Sequence, residues 1–259
     1  MKYLIKKIII KILLLLLVAA VPIALYIFIE DDVQLTWNIN TIKEMNKYTI
    51  KAEFFPAQEK LSVLENIEYI NKTNKSIDKL FFHLNEIIML ENVKYQDVGE
   101  KSSNKEEKLL TKIGVIEYVK VRNKKASYKI VGKNNSLLMV NLDKELEEGN
   151  KLDIEIKYEM DISHLAHISK EGTTKYILRN WYPIAAEYNN GWKLETTYKK
   201  NKPDDVTNYY LANIIVPEGV KVEALGRLIE KVKVKGKYNF KFQGQDTLGF
   251  NVNIISTKN

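Results

Sequence analysis

His164 and His167 have the spacing that most resembles a metal-binding pair, because His-x-x-His brings two imidazoles close together in sequence. A catalytic zinc ion needs a third protein ligand and an open coordination position. The surrounding segment, HLAHISKEG, follows a strand-like run and has no helical pattern to hold both rings on one face. The third histidine, His83, lies in another strand-like run, where a hydrogen-bonded structural role is favoured over metal binding. We therefore predict no metal site and no cofactor.

The sequence also has none of the short motifs that carry catalysis. The His-Glu-x-x-His pattern of zinc peptidases, in which one helix presents two ligands and a general base, does not occur in the 259 residues. Neither does a Gly-x-Ser-x-Gly elbow, a phosphate-binding loop or a dinucleotide fingerprint. There is no cysteine, which excludes thiolate chemistry and disulfides. We expect no catalytic residue and a function that is not enzymatic.

The aromatic segment, Leu178 to Trp192 (LRNWYPIAAEYNNGW), is the most unusual stretch of the chain. Its two tryptophans and two tyrosines are too many for an ordinary surface loop: Trp181, Tyr182, Tyr188 and Trp192. They form either a corner of the core, which we favour, or an interaction surface, where Trp and Tyr are enriched. We keep these four residues as candidates for an interaction surface, in contact with a ligand or supporting the contact.

Residues 12–29 (ILLLLLVAAVPIALYIFI) form an unbroken apolar run that is long enough to cross a bilayer as a helix. Four lysines precede it and three acidic residues follow it, which predicts a cytoplasmic N-terminus. A cleaved signal peptide is the alternative, but no small-x-small site follows the run. We predict a cytoplasmic segment at 1–11, a single-pass anchor at 12–29 and a juxtamembrane linker at 30–45. Residues 46–259 then form one domain outside the cell.

The net charge of +7 does not indicate nucleic-acid binding. Four of the positive charges precede Glu30, and the rest of the chain has 36 basic against 33 acidic residues. Both signs are interspersed there, as on a solvated face, and no basic stripe is visible. The partners that this leaves are the membrane itself and another protein.

Beyond residue 30 the chain reads as short runs with a period of two, separated by turn signals such as Asn189-Asn190-Gly191. The clearest run, Lys151 to Ile162 (KLDIEIKYEMDI), places five apolar residues on one face and charges on the other. This pattern predicts an all-β fold, a β-sandwich or large antiparallel sheet, preceded by one transmembrane helix. The Val-Lys-Val-Lys sequence at 232–235 indicates an edge strand protected by lysines.

Several motifs, in order along the chain, resemble the N-terminal β-domain of bacterial M1 zinc aminopeptidases. Asn180-Trp181-Tyr182-Pro183 and the Tyr188 to Trp192 turn resemble the family's Gly-Trp-Tyr-Pro and Tyr-Asp-Gly-Trp segments. Ile214 to Pro217, followed by Ala224-Leu225-Gly226, resembles its strand and turn ending in Ala-Thr-Gly. Earlier strands at 65–71, 80–85 and 146–158 fit as well, so that the resemblance covers roughly residues 46 to 255.

The resemblance implies a saddle-shaped β-domain that covers a peptidase active site in full-length relatives. The family's zinc helix would follow residue 259, so the resemblance carries no catalytic or zinc-binding residue to this chain. Three hypotheses follow. The first is a membrane-tethered, non-catalytic interaction or accessory domain; the second is the N-terminal half of a split or truncated aminopeptidase whose catalytic domain is a separate metallopeptidase chain. The third is a surface module that binds peptide or glycan through Trp181 or Trp192.

Overall fold

The computed structural model describes residues 45–84, 114–169, 172–195, 208–246 and 250–257, all within one compact unit, Met45–Asn259. The anchor and linker predicted at 12–45 lie outside these residues, apart from position 45. Across the described ranges, no helix has both the length and the apolar character needed to span a bilayer. The saddle shape and the domain boundaries stay predictions.

Strands account for nearly all regular structure in the described ranges, and the only helices there are three short 3-10 turns, which confirms the all-β prediction. The turns are Pro56–Gln58, Lys133–Asn135 and Ser163–Leu165. The strands are β1 (Asn46–Phe55), β2 (Lys60–Ile70), β3 (Ile77–His83), β4 (Gly114–Val121), β5 (Lys124–Lys125), β6 (Tyr128–Val131), β7 (Leu137–Leu146), β8 (Lys151–Asp161), β9 (Ala166–Ile168), β10 (Thr173–Leu178), β11 (Ile184–Ala185), β12 (Asn208–Pro217), β13 (Lys221–Ala224), β14 (Arg227–Val234), β15 (Lys237–Asp246) and β16 (Val252–Thr257).

These strands form three sheets. The largest has eight strands in the order β14-β15-β12-β1-β2-β8-β4-β5, and two four-stranded sheets have the orders β13-β16-β10-β9 and β11-β3-β7-β6. Strand pairing is antiparallel throughout the described residues except between β1 and β12, which run parallel from Asn46↔Asn208 to Glu53↔Ile215. A large antiparallel sheet is therefore present as predicted, with one parallel pair at its centre.

The core lies on the inner face of the eight-stranded sheet, where the two smaller sheets pack. Strand β8 buries Leu152, Ile154, Ile156, Tyr158 and Met160, the five residues that its alternation assigns to one face. Buried side chains from all three sheets join one continuous cluster. The rings of Phe54 on β1 and Tyr176 on β10 lie 5.3 Å apart, and the Tyr176 hydroxyl donates to Glu59 at 2.7 Å. The three sheets thus share a single hydrophobic core.

The outer face of the eight-stranded sheet is covered by charged side chains that pair across strands. Glu68 binds both Lys47 at 3.2 Å and Lys151 at 2.7 Å, and Lys120 binds Glu155 at 2.7 Å. Each of these pairs is partly exposed, so each contributes little to stability, typically about 0–1 kcal/mol. Their regular placement indicates that this face is in contact with solvent. A group of exposed apolar side chains on the same sheet therefore differs from its surroundings.

Candidate interaction surface

Of the four aromatic residues predicted to form an interaction surface, Trp181 and Tyr182 are fully buried. The Trp181 indole Nε1 donates to the carbonyl of Phe250 at 2.8 Å, and the Phe250 amide donates to the Tyr182 hydroxyl at 2.7 Å. Tyr158 of β8 donates to the Trp181 carbonyl at 3.3 Å. These bonds fix the start of the aromatic segment inside the core. Trp181 and Tyr182 can support a surface but cannot contact a partner directly.

Tyr188 and Trp192 are half-buried and lie at the base of one turn. They face each other as an isolated antiparallel bridge, with ring centroids 5.4 Å apart, around the predicted Asn189-Asn190-Gly191 turn. Trp192 also packs against Phe81 of β3 at 5.5 Å, and Lys75 Nζ lies 5.2 Å above the Tyr188 ring. Of the four aromatic residues, Tyr188 and Trp192 are therefore the two that reach the surface.

His83 lies in a different sheet from His167, and His164 lies in the turn that precedes the strand of His167. His83, at the end of β3, lies within hydrogen-bonding distance of the Lys193 carbonyl at 3.1 Å, and burial lowers the pKa of its imidazole. His164 lies in a 3-10 turn and His167 in β9, and both are exposed. Among the described residues, no group of three or more His, Asp or Glu side chains is placed to hold a metal ion.

Glu65 is a buried charge-bearing group that the sequence did not single out. It lies on β2 between Ile50 and Ile156, is 0% exposed, and neither of its carboxyl oxygens has a hydrogen-bond partner among the described residues. Burial raises the pKa of this carboxyl well above its usual range. The phenols of Tyr48 and Tyr158 lie close enough to interact with it electrostatically. A proton held on this carboxyl is a structural rather than a catalytic feature, because the group has no access to solvent.

The edge hairpin, which we define as residues 225–246 (Leu225, Gly226, β14, β15 and the turn between the two strands), is the largest concentration of exposed apolar side chains on the described domain. All eight residues of β14 are exposed. Of the nine large hydrophobic side chains that are exposed in the described ranges, five lie within positions 225–234: Leu225, Leu228, Ile229, Val232 and Val234. Val234 is 59% exposed and Leu225 51% exposed. A cluster of this kind is typical of an interaction site.

Strand β14 is the terminal strand of the eight-stranded sheet, which confirms the edge strand predicted at 232–235. A bulge between Leu228 and Glu230 interrupts its pairing with β15. Gly226, with φ of +103°, makes the preceding turn, and a Cβ at this position would lie 3.5 Å from the Cα of Gly244 on β15. The sequence identified the lysines of this strand but not its exposed apolar residues, because Leu228 to Val234 reads like an ordinary buried strand.

A small-molecule site has little support in the described part of the chain. One cleft beside β5 and β7, lined by residues such as Lys124, Asn141 and Asp143, has a volume of about 190 Å³. Ligand pockets usually enclose about 300–1,000 Å³. The extended surface of the edge hairpin is better suited to a macromolecular partner.

Comparison with known proteins supports the resemblance that the motifs along residues 46 to 255 predict. No protein-family model matches the chain, and no curated protein matches it significantly in sequence. Among solved structures, the M1 zinc metallopeptidase from Deinococcus radiodurans matches 82% of this chain with a TM-score of 0.51 and 9% identity. A two-domain M1 zinc metallopeptidase mutant bound to L-tryptophan also matches 82% of this chain, with a TM-score of 0.52 and 9% identity.

At this level of identity the likeness shows the fold alone. The predicted resemblance to the N-terminal β-domain of M1 metallopeptidases is confirmed in that sense. The matched region makes up 41% of the Deinococcus chain and 42% of the mutant chain, so the present chain spans about two-fifths of the length of these structures.

Proposed function

We propose that this chain, whose β-domain has the fold of the N-terminal domain of M1 zinc metallopeptidases, is a non-catalytic interaction module that binds another protein through the edge hairpin. The observation that carries the proposal is the position of five exposed large apolar side chains within residues 225–234. Elsewhere on the large sheet, charged side chains pair across strands, as at Glu68 and Glu155, and only Phe55 and Val115 are exposed large apolar residues in the described part of its strands. The hairpin is therefore the part of this sheet that gains most from being covered.

The apolar side chains of β14 are available to a partner because the domain does not bury them. No residue of β14 is buried, so its leucine, isoleucine and valines contribute little to the core of the described domain. Covering apolar surface is worth roughly 25 cal/mol per Å², and residues that become fully desolvated dominate binding energies. The half-buried turn of Tyr188 and Trp192 offers a second, smaller apolar surface. We propose it as an auxiliary contact, with Trp181 and Tyr182 holding it in place from the core.

The proposed module is tethered to the cell membrane. The apolar run at 12–29, with lysines before it and acidic residues after it, supports a single-pass anchor with the β-domain outside the cell. A tethered domain meets partners in the same membrane or on the same cell surface at high effective concentration, which makes even a modest interface useful.

The second candidate function is half of a split zinc aminopeptidase. The observation that favours it is the match of this chain to about two-fifths of M1 zinc metallopeptidase structures. In that case the partner of the β-domain is a separate chain that contains His-Glu-x-x-His. The mixture of the two chains, but neither chain alone, would then release amino acids from fluorogenic aminoacyl substrates.

The test is site-specific photo-crosslinking of the full chain in its native membranes. A photoreactive amino acid is placed at Val234 in one variant and at Val115 in the control, since Val115 is also an exposed valine (43%) but lies on β4, outside the hairpin. We expect a discrete protein adduct from Val234 and none from Val115. Mass spectrometry of the adduct shows whether the partner is a metallopeptidase chain. Equal labelling from both positions, or none from Val234, contradicts the proposal.

A further inference from the structure

We infer that the partner contributes an extended segment that pairs with β14 as a ninth strand of the large sheet, with acidic side chains opposite Lys231 and Lys233. This inference rests on the proposed function and specifies the chemistry of the partner. It follows from three features of β14: an unpaired edge, a separation of charge and apolar residues between its two faces, and a like-charge conflict in self-pairing.

The unpaired edge supplies the backbone groups. Strand β14 pairs with β15 on one side, and no strand of the described ranges pairs with its other side. An edge strand presents a row of N–H and C=O groups that an extended peptide can complete, which gives affinity without side-chain contacts. Because of the bulge between Leu228 and Glu230, the regular part available for pairing is Glu230 to Val234.

The two faces of this regular part differ in chemistry. Lys231 is paired with Phe240 and Lys233 with Tyr238, so both lysines lie on the face that holds these rings. The Nζ of Lys231 lies 4.6 Å above the Tyr238 ring, and Lys233 binds Glu218 at 2.7 Å. Both lysine side chains stay exposed. One face of the strand is therefore cationic.

The opposite face of the same five residues carries Val232 and Val234. Residues that face each other across antiparallel strands lie on the same side of the sheet and interact directly. A strand that complements β14 therefore alternates acidic residues, opposite the two lysines, with β-branched apolar residues, opposite the two valines. The single acid of the segment, Glu230, lies on the valine face and does not offset this pattern.

A second copy of this chain does not fit the same edge. Two β14 strands related by a two-fold axis pair antiparallel, and each register that overlaps at least three residues of Glu230 to Val234 places lysine against lysine. The pairs formed are Lys231 with Lys231, Lys231 with Lys233, or Lys233 with Lys233. Like charges directly opposite each other destabilise a strand pair. The edge is thus protected against self-association and remains open to an acidic strand.

The experiment uses the full chain in nanodiscs of phosphatidylcholine and a fluorescent eight-residue peptide of alternating glutamate and valine. The matched probes are an alternating lysine and valine peptide and two N-methylated acidic peptides. One of these is methylated on the odd-numbered amides and the other on the even-numbered amides, so that each blocks one edge of the peptide strand. The test variant carries Lys231→Glu and Lys233→Glu. The control variant carries Lys124→Glu and Lys125→Glu on β5, an exposed pair at the other end of the same sheet.

We expect the acidic peptide to bind the wild type and the control variant, and to bind the test variant about tenfold or more weakly, because two attractive cross-strand pairs become repulsive. The test variant should prefer the lysine peptide. One of the two N-methylated peptides should not bind the wild type, since backbone pairing requires the amide hydrogens that its methyl groups replace. Fluorescence anisotropy measures all of these affinities, and circular dichroism checks that the variants are folded.

Three results overturn the inference. Equal binding of the two N-methylated peptides shows that charge alone holds the peptide on the hairpin. Binding to anionic vesicles, lost on charge reversal while no peptide binds, assigns the hairpin to a lipid surface. Concentration-dependent dimerisation that requires the wild-type lysines assigns it to a second copy. If Val234 crosslinks a protein in membranes but the acidic peptide does not bind, the proposed function stands and this inference fails.

Discussion

Replacing Glu65 should change how the stability of this protein depends on pH. The folded chain keeps this buried carboxyl protonated to a higher pH than the unfolded chain does, because burial raises its pKa. An exposed glutamate in the unfolded chain releases its proton near pH 4.3 (about the usual value). The Glu65 contribution to the free energy of unfolding is therefore complete below that pH and is lost as the pH rises toward the folded-state pKa.

The magnitude follows from proton linkage. One proton bound by the folded state and not by the unfolded state gives a slope of about −1.4 kcal/mol per pH unit between the two pKa values. Glu65→Gln has no titrating group and should remove this slope. Glu68 and Glu155 have pKa values lowered by lysine partners, which gives slopes of the opposite sign. The difference between wild type and variant cancels these, so it isolates Glu65.

A second substitution at Glu65, to leucine, separates the effect of the titrating carboxyl from the effect of the unsatisfied polar group. Because neither Glu65 oxygen has a hydrogen-bond partner among the described residues, Glu65→Leu removes an unsatisfied buried group and creates no new one. Leaving such a group unsatisfied costs about 1–3 kcal/mol, so Glu65→Leu should be more stable than the wild type by that amount near neutral pH. Glu65→Gln should show the flattened pH profile without this full gain.

The assay is urea unfolding of the full chain in mild detergent, followed by tryptophan fluorescence at a series of pH values from 4 to 8. The reasoning is refuted if Glu65→Leu is less stable than the wild type at every pH. That result would mean that the carboxyl has a stabilising interior partner, such as a bound water molecule. An unchanged pH profile in Glu65→Gln would show that the folded and unfolded chains bind this proton equally.

Two further substitutions test the positions that hold the aromatic segment and the edge hairpin. Trp181→Phe removes the indole donor to the buried Phe250 carbonyl and should lower the free energy of unfolding by about 1–3 kcal/mol, measured by urea titration; a loss below 0.5 kcal/mol would contradict the assigned bond. Gly226→Ala should lower the thermal midpoint more than Gly149→Ala, because both glycines have positive φ but a Cβ at Gly226 would lie 2.7 Å from the Gln243 carbonyl oxygen, whereas the site at Gly149 is open. Equal decreases of the thermal midpoint in scanning calorimetry would contradict this prediction, because they would show that the hairpin accommodates the Cβ at position 226 without loss of stability.

The alternation of side chains was sufficient to predict much of the large sheet. The run from Lys151 to Ile162 differs from β8 by a single residue, and β2 (Lys60–Ile70) has the same period of two except at Leu64 and Glu65. Each strand pairs with another strand on both sides. Strand β10 was not predicted, because a threonine, Thr174, occupies the first buried position of its inner face.

Local sequence patterns could not predict the features that depend on contacts between residues distant in sequence. Trp181 and Trp192 are the same residue type in one segment, yet Trp181 is fully buried, with its indole donating to Phe250, 69 residues away, whereas Trp192 is only partly buried. Glu65 follows the alternation of β2 onto its inner face, but a charged residue is ordinarily assigned to the solvent side. The exposure of the apolar residues of β14 was not predicted either. Apolar residues are ordinarily assigned to the core, and whether another sheet covers them cannot be seen in the local sequence.

The parallel pairing of β1 with β12 has a consequence for how the domain reaches its folded state. The two strands begin about 160 residues apart, at Asn46 and Asn208, yet they lie side by side at the centre of the sheet. Contacts of such high sequence separation slow folding, because loop-closure entropy is lost before pairing compensates for it. A chain that emerges N-terminus first from a ribosome or a translocation channel presents β1 with one open edge until β12 arrives. Until then this open edge presents unpaired backbone N–H and C=O groups that another chain could pair with, as at any exposed edge strand.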